Sequence, residues 1–397
     1  MYKRQSETQY FELPPHRILN TFDSQPIGSE DTLDLEVTGG TTTVPTSALS
    51  VALNVTGVHP TEETHLTIWP AGQTMPLASN INLPAGSTRP NLVIVKVGTG
   101  DEISIYNNAG DTNVIVDVVG YFADADGALY TGIDPERILD TYTGTGTTAT
   151  PFGPQEARDL DVTDSAVPAE ATAVVLNITG VFPSLGTHLT VFPTGTLMPD
   201  ASSLNVEPNQ TNANLVIAKV GNDHSVSIYN NSGQMNVLVD VVGYFTPSQL
   251  PGGGAALIGG GTPAVDEPGL YTAITPNRIL DSSTGTGGFN TPWVAGQTRE
   301  IAVTGGATNV PDDAIAVVVN VTAVHPTVGT HLTLFPAGIT PPDVSNLNLP
   351  TGDTRANLAI VKIGVDDEVS IYNNTGDVDV IADVVGYFVP ADVDAGS

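Results

Sequence analysis

The chain contains no cysteine, which excludes disulfide staples and thiolate metal sites. Bases are nearly as scarce. Against 43 Asp+Glu stand 12 Lys+Arg, giving a formal net charge of −31 over 397 residues. Charged residues are only 14% of the chain, so the imbalance comes from missing bases more than from added acids. Such a surface repels nucleic acid and anionic lipid, and no basic patch or phosphate-cradling glycine loop offsets it. No apolar run approaches the roughly 18 residues of a membrane helix, so no membrane insertion is expected. No G-x-S-x-G nucleophile elbow occurs, and no extended stretch shows helical spacing. No secretory leader is visible. The opening "MYKRQ" matches the translation of a transposase-adapter sequence used in DNA library preparation, so the chain is expected to be a metagenomic fragment with its true start missing.

What is present is threefold repetition. "IYNNAGDTNVIVDVVGYF" at 105–122 returns as "IYNNSGQMNVLVDVVGYF" at 228–245 and "IYNNTGDVDVIADVVGYF" at 371–388. "RIL" opens each copy at Arg17, Arg137 and Arg278; "LNVT", "LNIT" and "VNVT" follow at Asn54, Asn177 and Asn320; "THLT" follows at His65, His188 and His331. The spacing predicts a leader at 1–9, modules at 10–122, 130–245 and 270–389, a short linker at 123–129, a Gly/Pro-rich linker at 246–269 and a tail at 390–397. The stiff first linker predicts a preferred orientation of modules 1 and 2. The glycine-rich second one predicts that module 3 moves independently.

Within a module the period is two. In "HLTIWP" Leu66 and Ile68 point one way and His65, Thr67 and Trp69 the other, as in a half-buried strand. "NLVIVKVG" and "NVIVDVVGYF" are apolar on both faces and read as central strands covered on both sides. "PAG", "GTGD" and "NNAG" mark turns, the last being read as the turn of a final hairpin. The fold class is all-β: three tandem antiparallel β-sandwich, jelly-roll-like domains of seven or eight strands each.

The order R-I-L-D-T, L-N-V-T, S-N-L-N, N-L-V and V-D-V-V-G-Y-F resembles the repeat module of secreted actinobacterial cell-surface proteins. Those proteins carry several copies, alone or beside a catalytic domain. The resemblance covers nearly the whole chain and implies an extracellular or cell-wall-associated setting. It brings no established activity. Two positions depart from that pattern: Phe22, Tyr142 and Ser283 stand where the family usually has arginine, and His65, His188 and His331 where it often has tyrosine.

Two sets of residues stand out. The first is the face His65, Thr67 and Trp69, with its equivalents His188, Thr190, Phe192 and His331, Thr333, Phe335. An aromatic between polar neighbours can stack a sugar ring; packing beneath a loop or on the next module is the competing reading. The second is the aspartate inside each doubly apolar strand: Asp117, Asp240 and Asp383. A buried carboxylate must be neutral or paired. Only two positions are basic in all three copies, the arginines of "RIL" (Arg17, Arg137, Arg278) and the lysines Lys96, Lys219 and Lys362. Arginine is the expected partner because its planar fork serves both carboxylate oxygens. The sequons at Asn54, Asn177 and Asn320 fall mid-strand and read as buried, hydrogen-bonded asparagines.

No cofactor is expected. Turn acids at 366–368, 377–379 and 124–127 raise calcium as a candidate, but no complete D-x-D-x-D-G loop appears. The overall reading is a monomeric, non-enzymatic, secreted structural or adhesive protein that binds an extracellular glycan or wall polymer weakly at several points. Two alternatives stand beside it: the accessory array of a larger secreted hydrolase, and a self-associating filament or coat subunit.

Overall fold

The computed structural model describes residues 7–163, 165–248 and 267–391. The first module contains eight strands: β1 (Gln9–Asn20), β2 (Asp31–Glu36), β3 (Ala48–Val58), β4 (Thr64–Pro70), β5 (Ile81–Leu83), β6 (Thr88–Lys96), β7 (Glu102–Asn107) and β8 (Asn113–Ala123). All pairings are antiparallel. One sheet has the order β1-β8-β3-β6 and the facing sheet β2-β7-β4-β5. Consecutive strands alternate between the sheets, except that β4 and the short β5 pair within one sheet.

The second module repeats this order with β9 (Ala128–Asp140), β10 (Glu156–Asp161), β11 (Ala173–Val181), β12 (Thr187–Pro193), β13 (Leu204–Val206), β14 (Thr211–Lys219), β15 (Ser225–Asn230) and β16 (Asn236–Pro247). The third uses β17 (Gly269–Asp281), β18 (Gln297–Ala302), β19 (Ala316–Val324), β20 (Thr330–Pro336), β21 (Leu347–Leu349), β22 (Thr354–Lys362), β23 (Glu368–Asn373) and β24 (Asp379–Pro390). Among the described residues no helix is long and apolar enough to cross a membrane.

The repeated stretch is therefore not a hairpin. β7 pairs with β2 and β4, whereas β8 pairs with β1 and β3. "NNAG" carries the chain from one sheet to the other. Its first asparagine holds that crossing: Asn107 is fully buried, and its Nδ2 donates to the carbonyls of Ile27 (2.9 Å) and Gly110 (2.7 Å). Turn residues reveal a change of direction but not which sheet the chain enters.

Each sandwich has its own core, built in the first module from Val51, Leu53, Leu66, Ile68, Val93, Val95, Val114 and Val116. A fourth core lies between the modules. There Leu92, Ile94 and Phe122 meet Leu215, Ile217 and Phe245 of the second module and Leu358, Ile360 and Phe388 of the third. Tyr10, Tyr130 and Tyr271 complete a six-ring aromatic cluster with centroid spacings of 4.3–6.5 Å. β6 and β8 are apolar on both faces because one face fills its own sandwich and the other fills this shared core. The first strands meet here too, through the bridges Tyr10↔Ala128, Tyr130↔Gly269 and Thr8↔Tyr271.

The modules thus close into one ring-like body, contrary to the tethered-bead expectation. The third module is anchored to both others. Residues 249–266, where the loose joint was expected, lie outside the described residues, as do 1–6 and 392–397. The boundaries shift as well. Thr8 and Gln9 belong to the fold rather than to a leader, since Thr8 N donates to Tyr271 O at 2.9 Å. β9 begins at Ala128 and β16 runs on to Pro247.

Candidate functional site

The three buried aspartates sit in matching rows across the inner sheets. On one side of Asp117 the register places Arg17, and on the other Asn54; Asp240 lies between Arg137 and Asn177, and Asp383 between Arg278 and Asn320. Each row faces the neighbouring module. Arg17 Nε donates to Asp117 Oδ1 at 2.9 Å and Nη2 to Oδ2 at 3.3 Å. Arg278 grips Asp383 at 2.9 and 3.2 Å. Arg137 holds both oxygens of Asp240 in the same way. Burial pushes all three carboxyls up, Asp240 to about 6, and the arginine hydrogen bonds only partly oppose it.

The fork that grips an aspartate also reaches the next module. Arg17 Nη1 lies 3.4 Å from a carboxylate oxygen of Asp200, Arg137 Nη2 donates to the Asp343 carbonyl at 2.9 Å, and Arg278 Nη2 donates to the Leu77 carbonyl at 2.7 Å. The asparagines do likewise. Asn54 Nδ2 donates to Ser202 O at 2.6 Å, Asn320 Nδ2 to Ser79 O at 2.8 Å, and Asn177 Nδ2 to Ser345 O. Each bond runs in the sense 1→2→3→1.

The lysines do not reach the aspartates. Lys219 Nζ lies 3.5 Å from Glu12 and Lys362 Nζ 3.9 Å from Asp134, both across module junctions, while Lys96 is exposed. A basic pair that the repeat pattern does not single out lies where β6 meets β22. Arg89 and Arg355 share Asp353, at 2.6 and 2.8 Å. The second module has Asn212 at this position, so no threefold signal marks it; burial pushes the Arg355 guanidinium down to about 10.

The expected aromatic face is reorganised. Thr67, Thr190 and Thr333 are buried, and each donates to a carbonyl of the loop that follows its strand: Ala78 (2.9 Å), Ala201 (2.7 Å) and Val344 (2.6 Å). Trp69 lies under the same loop, its Nε1 donating to Gln73 O at 3.0 Å, and Phe192 and Phe335 are buried too. Strand alternation is correct here, but a loop covers the second face, so these three aromatics cannot stack a ligand.

His65, His188 and His331 remain half-buried, and each borders an open groove. Burial lowers all three below the ordinary histidine range, leaving the rings neutral at pH 7. Their neighbours are Asn82, Asn205 and Asn348 on the short paired strand, and Tyr106, Tyr229 and Tyr372 on the other. The second asparagine of "YNN" completes each set: the backbone N of Asn108, Asn231 and Asn374 donates to the carbonyl of its histidine at 3.1–3.2 Å. The half-buried tyrosine of "IYNN" is the sequence signal that marks this side.

Among the described residues no three His, Cys, Asp or Glu side chains gather closely enough to hold a metal ion. Asp366 and Asp367 are exposed in a tight turn, and Asp379 Oδ1 accepts from Ser282 Oγ at 2.7 Å.

No family model matches the chain, and no curated protein matches it. Among solved structures it is similar to the tandem CBM22-1–CBM22-2 domain of Paenibacillus barcinonensis Xyn10C, at 11% identity, covering 67% of this chain and 100% of that one, with a TM-score of 0.19. It is also similar to a triple jelly-roll protein of an archaeal virus, at 7% identity over 97% of this chain and 91% of that one, with a TM-score of 0.18. A structure from Sulfolobus turreted icosahedral virus gives 8% identity, the same coverages and 0.18.

Proposed function

We propose that this is a non-enzymatic structural and adhesive protein of the cell exterior, a rigid three-part head that holds a neutral surface polymer weakly at several points. One observation carries this reading. The buried Arg–Asp–Asn row repeated in all three copies is spent on joining the modules: each row is closed within its own sheet and bonded to the neighbour's backbone or carboxylate. Buried groups tied up in this way support a scaffold role rather than proton or acyl transfer. The acidity and the resemblance to secreted cell-surface repeat modules support the extracellular setting.

That resemblance also favours a second reading, the accessory array of a larger secreted hydrolase. The test is cosedimentation of the purified chain with isolated cell walls, alongside a panel of chromogenic glycoside, ester and peptide substrates. Cosedimentation without turnover is expected. Turnover of any substrate, or a chain left wholly in the supernatant, overturns the reading.

A further inference from the structure

Half-exposed residues that recur in all three copies need a reason other than core packing. Elsewhere on the surface the three copies have diverged. Phe22, Tyr142 and Ser283 differ at one position, His59, Phe182 and His325 at another, and Ser87, Gln210 and Asp353 at a third. His65, Asn82, Tyr106 and Asn108 nevertheless return unchanged as His188, Asn205, Tyr229 and Asn231, and as His331, Asn348, Tyr372 and Asn374. All twelve are partly or fully exposed.

The histidine and both asparagines of each set border a groove that a neighbouring module helps to wall; Tyr229 lines its groove too, while Tyr106 and Tyr372 stand beside their histidine rings at 6.3 Å between centroids. The groove at His65 has a volume of about 320 Å³ and includes His325, Asp353 and Thr354 of the third module. The one at His331 is about 370 Å³ and includes Phe182, Gln210 and Thr211 of the second. The one at His188 is about 420 Å³ and includes Arg17 of the first. These volumes suit small-ligand sites. A module on its own would lack one wall.

The donors are preset. Ser79, Ser202 and Ser345 donate to the side-chain oxygens of Asn82, Asn205 and Asn348 at 3.1–3.3 Å, leaving the amide N–H groups as the donors that remain. Tyr229 and Tyr372 hydroxyls donate in the same way to Asn231 and Asn374 at 3.5 and 3.3 Å. A neutral imidazole both donates and accepts, and the tyrosine ring offers an apolar face. That combination fits vicinal hydroxyl groups on a ring with one apolar side. The net charge disfavours anionic ligands.

We infer that the three module junctions are subsites for a neutral saccharide, each formed by one His–Asn–Asn set and a wall from a neighbouring module, the wall at His188 being Arg17 rather than the segments that close the other two. This rests on the adhesive reading above and specifies its ligand class and site. Three subsites on one rigid body give a polymer the advantage of intramolecular rebinding over a short oligosaccharide.

The test is native affinity electrophoresis of the full chain in gels containing soluble glucan, mannan, galactan or xylan, with polygalacturonate as the anionic counterpart. At least one neutral polymer is expected to retard the chain, and polygalacturonate is not. The triple variants H65A/H188A/H331A and N108A/N231A/N374A should weaken retardation tenfold or more. The second set alters surface positions and keeps the test valid if the first fails to fold. Retardation unchanged in the triple variants overturns the subsites while the adhesive reading stands. No retardation by any neutral polymer, with wall cosedimentation intact, overturns the saccharide class. Loss of both overturns both readings.

Discussion

The guanidinium of Arg137 belongs to two modules at once: it grips both carboxylate oxygens of Asp240 in its own sheet and donates to the backbone carbonyl of Asp343 in the next module at 2.9 Å. Arg278 repeats this with Asp383 and the Leu77 carbonyl. A pair that looks local in sequence is therefore also a fastener between domains.

Removing one partner should cost more than removing both. Arg137→Met leaves a buried carboxylate unpaired, and Asp240→Ala strips Arg137 of its bidentate partner and leaves it only Asp140 at 3.8 Å and the Asp343 carbonyl, so each is expected to destabilise by about 3 kcal/mol or more. The double variant should cost little beyond one single. Urea unfolding of the four proteins measures this, and additive singles would contradict it.

Asp240 also sets a pH dependence. Its carboxyl sits at about 6 in the folded protein against an ordinary 3.8, so the folded state holds this proton more tightly than the unfolded one. Stability from this group is full below the ordinary value and is lost as pH rises through 6. Relative to Asp240→Asn, the parent should gain stability between pH 7.5 and 4.5. Paired urea midpoints at the two pH values check the sign.

The histidines act in the opposite direction. Burial lowers His65, His188 and His331 from the ordinary 6.5, so their contribution is present above that value and is lost as pH falls through the lowered folded values. Relative to the parent, H65Q/H188Q/H331Q should therefore become more stable on going from pH 7.5 to 5. A difference that is flat across this range would contradict the burial of the rings.

Salt should stabilise the chain. Most of the 43 acids have no base to pair with, whereas arginines 17, 137, 278 and 355 are committed to partly or fully buried pairs that salt screens poorly. The melting midpoint is expected to rise from low salt to molar NaCl as self-repulsion is screened; a falling midpoint would contradict this.

Much of this was legible in the sequence and some was not, for identifiable reasons. The strands follow from alternation and turns. The double apolarity of β6 and β8 correctly signals burial on both faces, but periodicity cannot say what covers a face; here it is two other modules. The scarcity of bases points to arginine beside each buried aspartate, yet the second bond of that arginine depends on the packing of modules far apart in sequence. Trp69 alternates onto an outer face that the loop of residues 70–80 then covers. Tyr106 escapes notice because its strand is read as half of a hairpin, whereas the sheet it joins puts it beside His65.

The central claim is that the three modules form one closed body around the shared core of Tyr10, Tyr130, Tyr271, Phe122, Phe245 and Phe388. The most direct measurement is to insert a specific protease site within residues 249–266, cleave under native conditions, and determine the mass in solution by gel filtration with light scattering. The two fragments should stay together and elute at the mass of the uncut chain, 41.1 kDa apart from the insertion. Elution of the third module as a separate species would contradict the closed body and restore the picture of independent domains on a tether.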